Sequence, residues 1–217
     1  MTAREEILQR VSSGVGKPAD FAARRSAAEA ALAAPVRGPQ PVLGAELAVR
    51  FQAKAESLAS TVARVANPGL AVSAVADYLA AGALGTNAVV TADVGSYDWA
   101  GSGLAVRIGA AVDADLVGIS GCFCAIAETG TLMLLSGPET PATVSLLPET
   151  HIALVQVGRI VATMEDAFAL LRAERGGIPR AINFISGPSR TGDIEQTIVL
   201  GAHGPCRVHL VLIGDTE

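Results

Sequence analysis

Lysine is nearly absent from this chain, present only as Lys17 and Lys54, so a lysine-dependent ATP or Schiff-base mechanism lacks its principal residue. Histidine is almost as scarce, at His151, His203 and His209, and none stands four residues from another, which disfavours a structural zinc site. The three cysteines, Cys122, Cys124 and Cys206, do not form the C-x-x-C-x-x-C run that holds an iron–sulfur cluster. No G-x-x-x-x-G-K-[ST] loop occurs, and GSGLAVRIG does not fit the G-x-G-x-x-G dinucleotide pattern. Aromatic residues make up 4% of the chain, and Trp99 is the single tryptophan.

Long hydrophobic runs are also missing, although half of the residues are hydrophobic and the mean hydropathy is +0.43. The longest uncharged apolar stretch, Leu116 to Ala127, stops at Glu128, well short of the ~20 residues a spanning helix needs. No membrane insertion is expected. The opening MTAREEILQR carries Arg4, Glu5, Glu6 and Arg10 where a signal peptide needs an apolar segment. With three cysteines, an odd number, as reduced thiols, the expected compartment is the cytoplasm. The net charge of −5 and the scattered arginines leave no basic stripe for nucleic acid. Cys122 and Cys124, in VGISGCFCAIAE, read as small buried residues on one face of a strand.

At 217 residues the chain can bury one complete core, and two full domains are not expected. The first third reads as helices, TAREEILQRV, DFAARRSAAEAAL and AELAVRFQAKAESLASTVARV, with Pro35, Gly38, Pro39 and Pro41 marking a linker between the last two. We assign residues 1–66 to an N-terminal helical extension, suited to packing on a partner or a second copy of the chain, and residues 67–217 to an α/β domain. From Asn67-Pro68 the texture alternates. VSAVADYLAAG, MEDAFALLRAER and DIEQTIVLG have helical character, while NAVVTAD, GLAVRIG, LVGISGCFCAIAETGTLMLLSG, THIALVQV, RIVAT, RAINFIS and CRVHLVLIG read as strands. Such alternation predicts a largely parallel sheet flanked by helices.

Three motifs combine polar side chains with glycine or proline beyond an apolar strand. In SGPSRTGDIE, Gly187-Pro188 demands an abrupt turn after AINFIS, and a helix is expected to begin near Asp193. A helix start offers unpaired N–H groups to an anion, so Ser186, Gly187, Ser189, Arg190, Thr191 and Gly192 are candidates for a phosphate or carboxylate. Asp193 and Glu195 would repel that anion, and Asp193 suits a ribose hydroxyl or a magnesium ion better. The same residues also read as plain helix capping. In AETGT, Thr129 and Gly130 turn the chain and hold the Glu128 carboxylate at the mouth of a strand pair, where it reads on its own as a turn carboxylate bound to neighbouring backbone N–H groups. In GAHGP, glycine and proline around His203, Gly204 among them, would let the imidazole aim into a cleft as a catalytic candidate. If the motifs form one site, they should converge over the carboxyl ends of the parallel strands. His209 is expected to face outward from its strand and His151 to hydrogen-bond locally. Tyr97, Asp98 and Trp99 are placed to cap a ligand, with packing the competing reading for Trp99.

CAIAETGTLMLLSG, SLLPETHIALVQVGRIV and INFISGPSRTGDIEQTIVLGAHGP together resemble the core of the lactate-utilisation protein C (LUD-domain) family, from about Val89 to Ile213. The resemblance implies a fold similar to glucosamine-6-phosphate deaminase, ribose-5-phosphate isomerase and the CoA transferases; in CoA transferases of related fold a glutamate attacks the acyl group, which makes Glu128 the candidate nucleophile or general base. It also implies a link to oxidation of L-lactate to pyruvate beside two iron–sulfur partner proteins. Three roles remain open on this reading. The chain is a component or assembly factor of that system with no intrinsic cofactor, an enzyme acting through Glu128 on a small carboxylate, phosphosugar or acyl-CoA, or a sensor of a metabolite or a nucleotide or CoA-type ligand.

Overall fold

The computed structural model describes residues 2–15, 21–34, 36–44, 46–194 and 197–214. Contacts divide the chain into residues 1–40 and 41–217. The first unit holds helices α1 (Ala3–Val15) and α2 (Phe21–Ala33). Thr2 caps α1 reciprocally: its N–H donates to Glu5 at 2.7 Å and its hydroxyl accepts from the Glu5 N–H at 3.4 Å. In α2, Arg25 pairs with Glu29 one turn on, at 2.9 Å.

In the second unit, helix α3 (Leu47–Ser57) presents Ala48, Phe51 and Ala55 as one apolar face. It ends earlier than its sequence suggests, because Ala59 turns into the left-handed region at φ 67°. The following Thr61–Val65 is strand β1, not more helix. This strand belongs to the main sheet, so the second unit starts at residue 41 where the sequence reading drew its boundary at 66/67.

Helix α4 (Pro68–Ala81) begins as its sequence dictates: Asn67 accepts from the Leu70 N–H at 3.1 Å, and Pro68 occupies the first helical position. Strands β2 (Asn87–Val90), β3 (Ala105–Ile108), β4 (Val117–Ser120), β7 (Thr150–Gln156) and β12 (Arg207–Ile213) join β1 in a six-stranded sheet. The order is β1-β12-β7-β4-β2-β3, and every pairing is parallel. The central strands read as nearly continuous apolar runs because both faces are covered.

Strands β5 (Cys124–Ile126), β6 (Thr131–Leu135), β8 (Ile160–Val161) and β9 (Ile182–Ile185) form a second, mixed sheet in the order β8-β5-β6-β9. Side-chain alternation builds the layers. Val211 and Ile213 of β12 pack with Val72, Val75 and Leu79 of α4. Val208, Leu210 and Leu212 point the other way, toward α3 and Leu132 and Leu134 of β6. The second sheet's far face, Cys124, Ile126 and Met133, is closed by Ala167 and Leu171 of α6 (Met164–Arg175), whose Thr163–Asp166 capping box fixes its start. A one-turn helix α5 (Thr143–Leu146) lies over β4.

The segment expected to be a helix after Asp193 is instead a hairpin, β10 (Arg190–Ile194) with β11 (Thr197–Leu200), in register Arg190 to Leu200 and Thr191 to Val199. The acidic residues that resembled a helical first turn lie in a segment rich in threonine, isoleucine and valine, which favours strand pairing.

Candidate functional site

Glu128 lies in the tight β5–β6 turn, half-buried, and its N–H donates to the Ala162 carbonyl at 3.0 Å. Its carboxylate makes no hydrogen bond among the described residues, so the bonded turn carboxylate is not what forms. Thr129 donates to Thr131 at 2.8 Å, and Thr131 and Ser186 share a hydrogen bond at 2.7 Å. The antiparallel β6–β9 pairing, with Leu132 opposite Ile185, therefore brings AETGT and the start of SGPSR together.

Both turns press on the end of α3. Gly130 has φ +69°, and a Cβ there would stand 2.6 Å from the Ala55 nitrogen; Gly187 has φ +82°, and a Cβ there would strike the Leu58 carbonyl. Lys54, set outside the resembling region by the sequence, flanks Gly130 in this packing.

SGPSR meets the third motif on its other side. The Ser189 N–H donates to the Pro205 carbonyl at 2.8 Å, the Ser189 carbonyl accepts from the Gly201 N–H at 2.9 Å, and Gly204 packs on the Ser189 side chain. Arg190 and His203 are exposed, Thr191 is half-buried and Gly192 is open to solvent. The Asp193 side chain and all of Glu195 lie outside the described residues. Because Arg190 and Thr191 enter a strand ladder, the helix N-terminus that was to hold an anion does not exist at this position.

The motifs thus meet pairwise through SGPSR, but away from the carboxyl edge of the parallel sheet. AETGT and SGPSR belong to the second sheet. HGP precedes β12, whose first residue Arg207 pairs with Thr150 at the start of β7, so His203 lies toward the amino-terminal edge. There it lines a concavity with Leu146, Glu149, Leu200 and Cys206, which neither Glu128 nor Arg190 lines. No hydrogen bond joins Glu128 to Arg190 or His203 among the described residues.

The carboxyl ends of β2 and β4 open instead on a cavity of about 200 Å³ that the sequence reading did not find. Thr91 and Asp93 follow β2, Ser120 closes β4, and Asn183 comes from β9. Thr91 accepts from the Gly121 N–H at 3.3 Å, tying the two strand ends together. Arg159 binds Glu174 through both guanidinium nitrogens, at 2.5 and 2.9 Å, donates to the Phe123 carbonyl at 2.9 Å and lies 4.8 Å over the Phe123 ring. The hydrogen bonds between Arg159 and Glu174 raise the arginine's pKa and hold the Glu174 carboxyl below its usual range. Only the position of Thr91 and Ser120 just past parallel strands could have flagged this place from sequence.

Beneath the cavity, His151 is fully buried and its Nε2 lies 2.8 Å from the Ser120 hydroxyl, while Nδ1 has no partner among the described residues. Burial lowers its pKa to about 4. His209 faces inward, not outward: it stacks on Tyr78 at 3.9 Å with an interplanar angle of 8°, and its Nδ1 meets the Thr61 hydroxyl at 2.8 Å. Burial lowers its pKa to about 4 as well. Trp99 is packing, its ring buried and its indole N–H donating to the Val94 carbonyl at 3.0 Å. Burial pushes the Cys124 thiol up to about 11 and Cys122 higher still. Among the described residues no three histidine, cysteine or acidic side chains gather as a metal site, and no helix is long and apolar enough to cross a membrane.

Known proteins share this architecture and sequence. A protein of the DUF162 family from Deinococcus radiodurans has a similar fold, with a TM-score of 0.58 at 24% identity over 80% of this chain and all of that one. An uncharacterized protein of Neisseria meningitidis is 44% identical over 88 residues, 41% of this chain and 38% of its own length. The lactate utilization protein C of a Geobacillus strain is 42% identical and that of Bacillus subtilis 40%, each over 102 residues, 46% of this chain and 42% of theirs. The chain therefore spans less than half the length of these curated relatives. The LUD domain model matches residues 49–213, farther toward the N-terminus than the sequence motifs reached and with Lys54 inside it, and the chain belongs to the LUD-domain family.

Proposed function

We propose that this protein serves lactate utilisation in the cytoplasm, as a component or assembly factor beside iron–sulfur partners that carry the electrons from lactate to their acceptor. The observation that supports it most is the 40–42% identity, over 102 residues, to proteins named lactate utilization protein C. The absence from the sequence of any cluster-binding cysteine run agrees with leaving redox chemistry to a partner.

The test is genetic and biochemical together. Deleting the gene should abolish growth on L-lactate while sparing growth on pyruvate, and the purified chain alone should be colourless and reduce no dye with lactate. Unimpaired growth of the deletion strain on lactate, or dye reduction by the isolated chain, overturns the proposal.

A second reading rests on Glu128, whose half-buried carboxylate is left without a hydrogen-bond partner among the described residues, in the turn joined through Thr131 to Ser186. In that reading Glu128 is nucleophile or base toward a small carboxylate, phosphosugar or acyl-CoA. Glu128→Gln would then abolish turnover of such a compound without lowering the melting temperature, and unchanged turnover would exclude it.

A further inference from the structure

The cavity at the carboxyl ends of β2 and β4 has no role in either reading, yet it has the features of a ligand site. It occupies the edge of a parallel sheet where ligands of α/β proteins bind. At about 200 Å³ it is smaller than the roughly 300–1,000 Å³ pockets that take drug-sized molecules, so it suits a metabolite of a few heavy atoms. Leu134, Pro141 and Ala142 give it an apolar wall.

Its charges divide into a spent pair and an unspent pair. Arg159 and Glu174 satisfy each other through a two-point contact. Arg175, next to them at the end of α6, lies 6.0 Å from the Phe123 ring and adds to the field that lowers the Glu174 carboxyl, but it forms no hydrogen bond or ion pair among the described residues. Asp93, on the loop after β2, likewise has no hydrogen bond there. The cavity therefore offers one guanidinium fork and one carboxylate to an occupant.

Ser120 adds a directed donor. Were His151 protonated on Nδ1, a buried N–H would be left without an acceptor, whereas an unpaired lone pair is the more tolerable defect. The favoured tautomer carries its proton on Nε2 and donates to Ser120, leaving the serine O–H free for an acceptor in the cavity.

From this arrangement we propose that the cavity binds a short 2-hydroxy carboxylate: Arg175 and the Ser120 hydroxyl take the carboxylate, Asp93 accepts from the 2-hydroxyl, and the alkyl end lies on the apolar wall. The choice of a 2-hydroxy acid, with L-lactate as first probe, rests on the lactate-utilisation reading; the cavity's charges and donor stand without it. A chain that merely assists assembly would leave the cavity's chemistry intact but unused, and a deletion strain that grows normally on lactate would not bear on binding.

Calorimetric titration of the full chain with L-lactate, propionate and methyl lactate tests it. L-Lactate should bind saturably, with propionate and the uncharged ester each weaker by about tenfold or more, roughly 1.4 kcal/mol. Arg175→Gln and Asp93→Asn, both at exposed positions, should each weaken lactate by a similar factor without lowering the melting temperature. Amide chemical shifts of Gly121 and Asn183 should move with lactate in the unmutated protein, which locates binding without any variant. Absence of saturable lactate binding, equal binding of propionate, indifference to both substitutions, or shifts confined to the Glu128 or Arg190 loops would each overturn the proposal.

Discussion

Acid should unfold this protein through its two buried histidines before its carboxylates titrate. His151 and His209 are neutral in the fold because burial lowers each from 6.5 to about 4. In the unfolded chain both regain the ordinary value and bind protons more readily. Their contribution is therefore fully present above about pH 6.5 and is lost progressively as the pH falls toward 4. Linkage gives a loss of about 2 kcal/mol for each imidazole at about pH 5, or roughly 4 kcal/mol together, against almost no loss at about pH 7.5. For a unit of this size each kcal/mol moves the melting temperature by about 2–4 °C, so the fall over that interval should be about 8–16 °C.

Urea titrations followed by circular dichroism at several pH values measure this directly, and His209→Phe isolates half of it. Phenylalanine keeps the ring stacked on Tyr78 and removes the unpaired Nε2, and Thr61, which is exposed, can turn its hydroxyl to water. The variant should match the parent or exceed it slightly at about pH 7.5, and be more stable by about 2 kcal/mol at about pH 5. An unchanged pH slope in His209→Phe would refute the assignment of acid lability to this histidine.

Gly187→Ala should destabilise the protein by roughly 2 kcal/mol or more, because it combines a left-handed backbone with a clash against the Leu58 carbonyl; Gly192→Ala, with open space around it, should stay within about 0.5 kcal/mol, and equal melting temperatures for the two would contradict the packing described. Arg190→Ala, at an exposed position, should change stability by no more than about 0.5 kcal/mol; if SGPSR is an anion site, it should also abolish ligand-induced stabilisation, and a large drop in the apo melting temperature would mark the residue as structural. Cys124, buried and with its thiol pushed up to about 11, should resist iodoacetamide at about pH 7.5 while the protein is folded, and its rapid labelling in peptide mass maps would contradict that burial.

Where local chemistry and global fold agree, the sequence was readable. Asn67-Pro68 and Thr163 with Asp166 announce α4 and α6, and the apolar runs of β7 and β12 announce buried parallel strands. Strand β1 escaped because Val62 and Val65 continue the apolar spacing of α3, and the break at Ala59 uses a residue that gives no turn signal. The hairpin after Ser189 escaped because Asp193 and Glu195 mimic a helical first turn. His209 was placed outward because alternation in a strand buried on both faces says nothing about which side is solvent. In LVGISGCFCAIAETGTLMLLSG the turn at Thr129-Gly130 is legible, but nothing local says that β5 and β6 leave the main sheet to pair with β8 and β9 in a second one.

The mismatch between motif and cavity has a physical origin. Gly130 and Gly187 occupy left-handed backbone and admit α3 to distances that no Cβ would allow, so their turns have a sufficient packing reason to carry glycine. The density of special residues in AETGT and SGPSR thus follows, in large part, from three chain segments crossing closely at Lys54 to Leu58. A ligand cavity makes the opposite demand, for open space bounded by ordinary polar side chains. Thr91, Asp93, Ser120, Arg175 and Asn183 come from segments spread over more than ninety positions of the chain, and none has an unusual local neighbourhood. What unites them is sheet topology, since β2 and β4 are neighbours with parallel ends and the second sheet and α6 close over them. In a chain of this kind the spaces beyond parallel strand ends are therefore the places to search for a ligand, ahead of the turns richest in glycine.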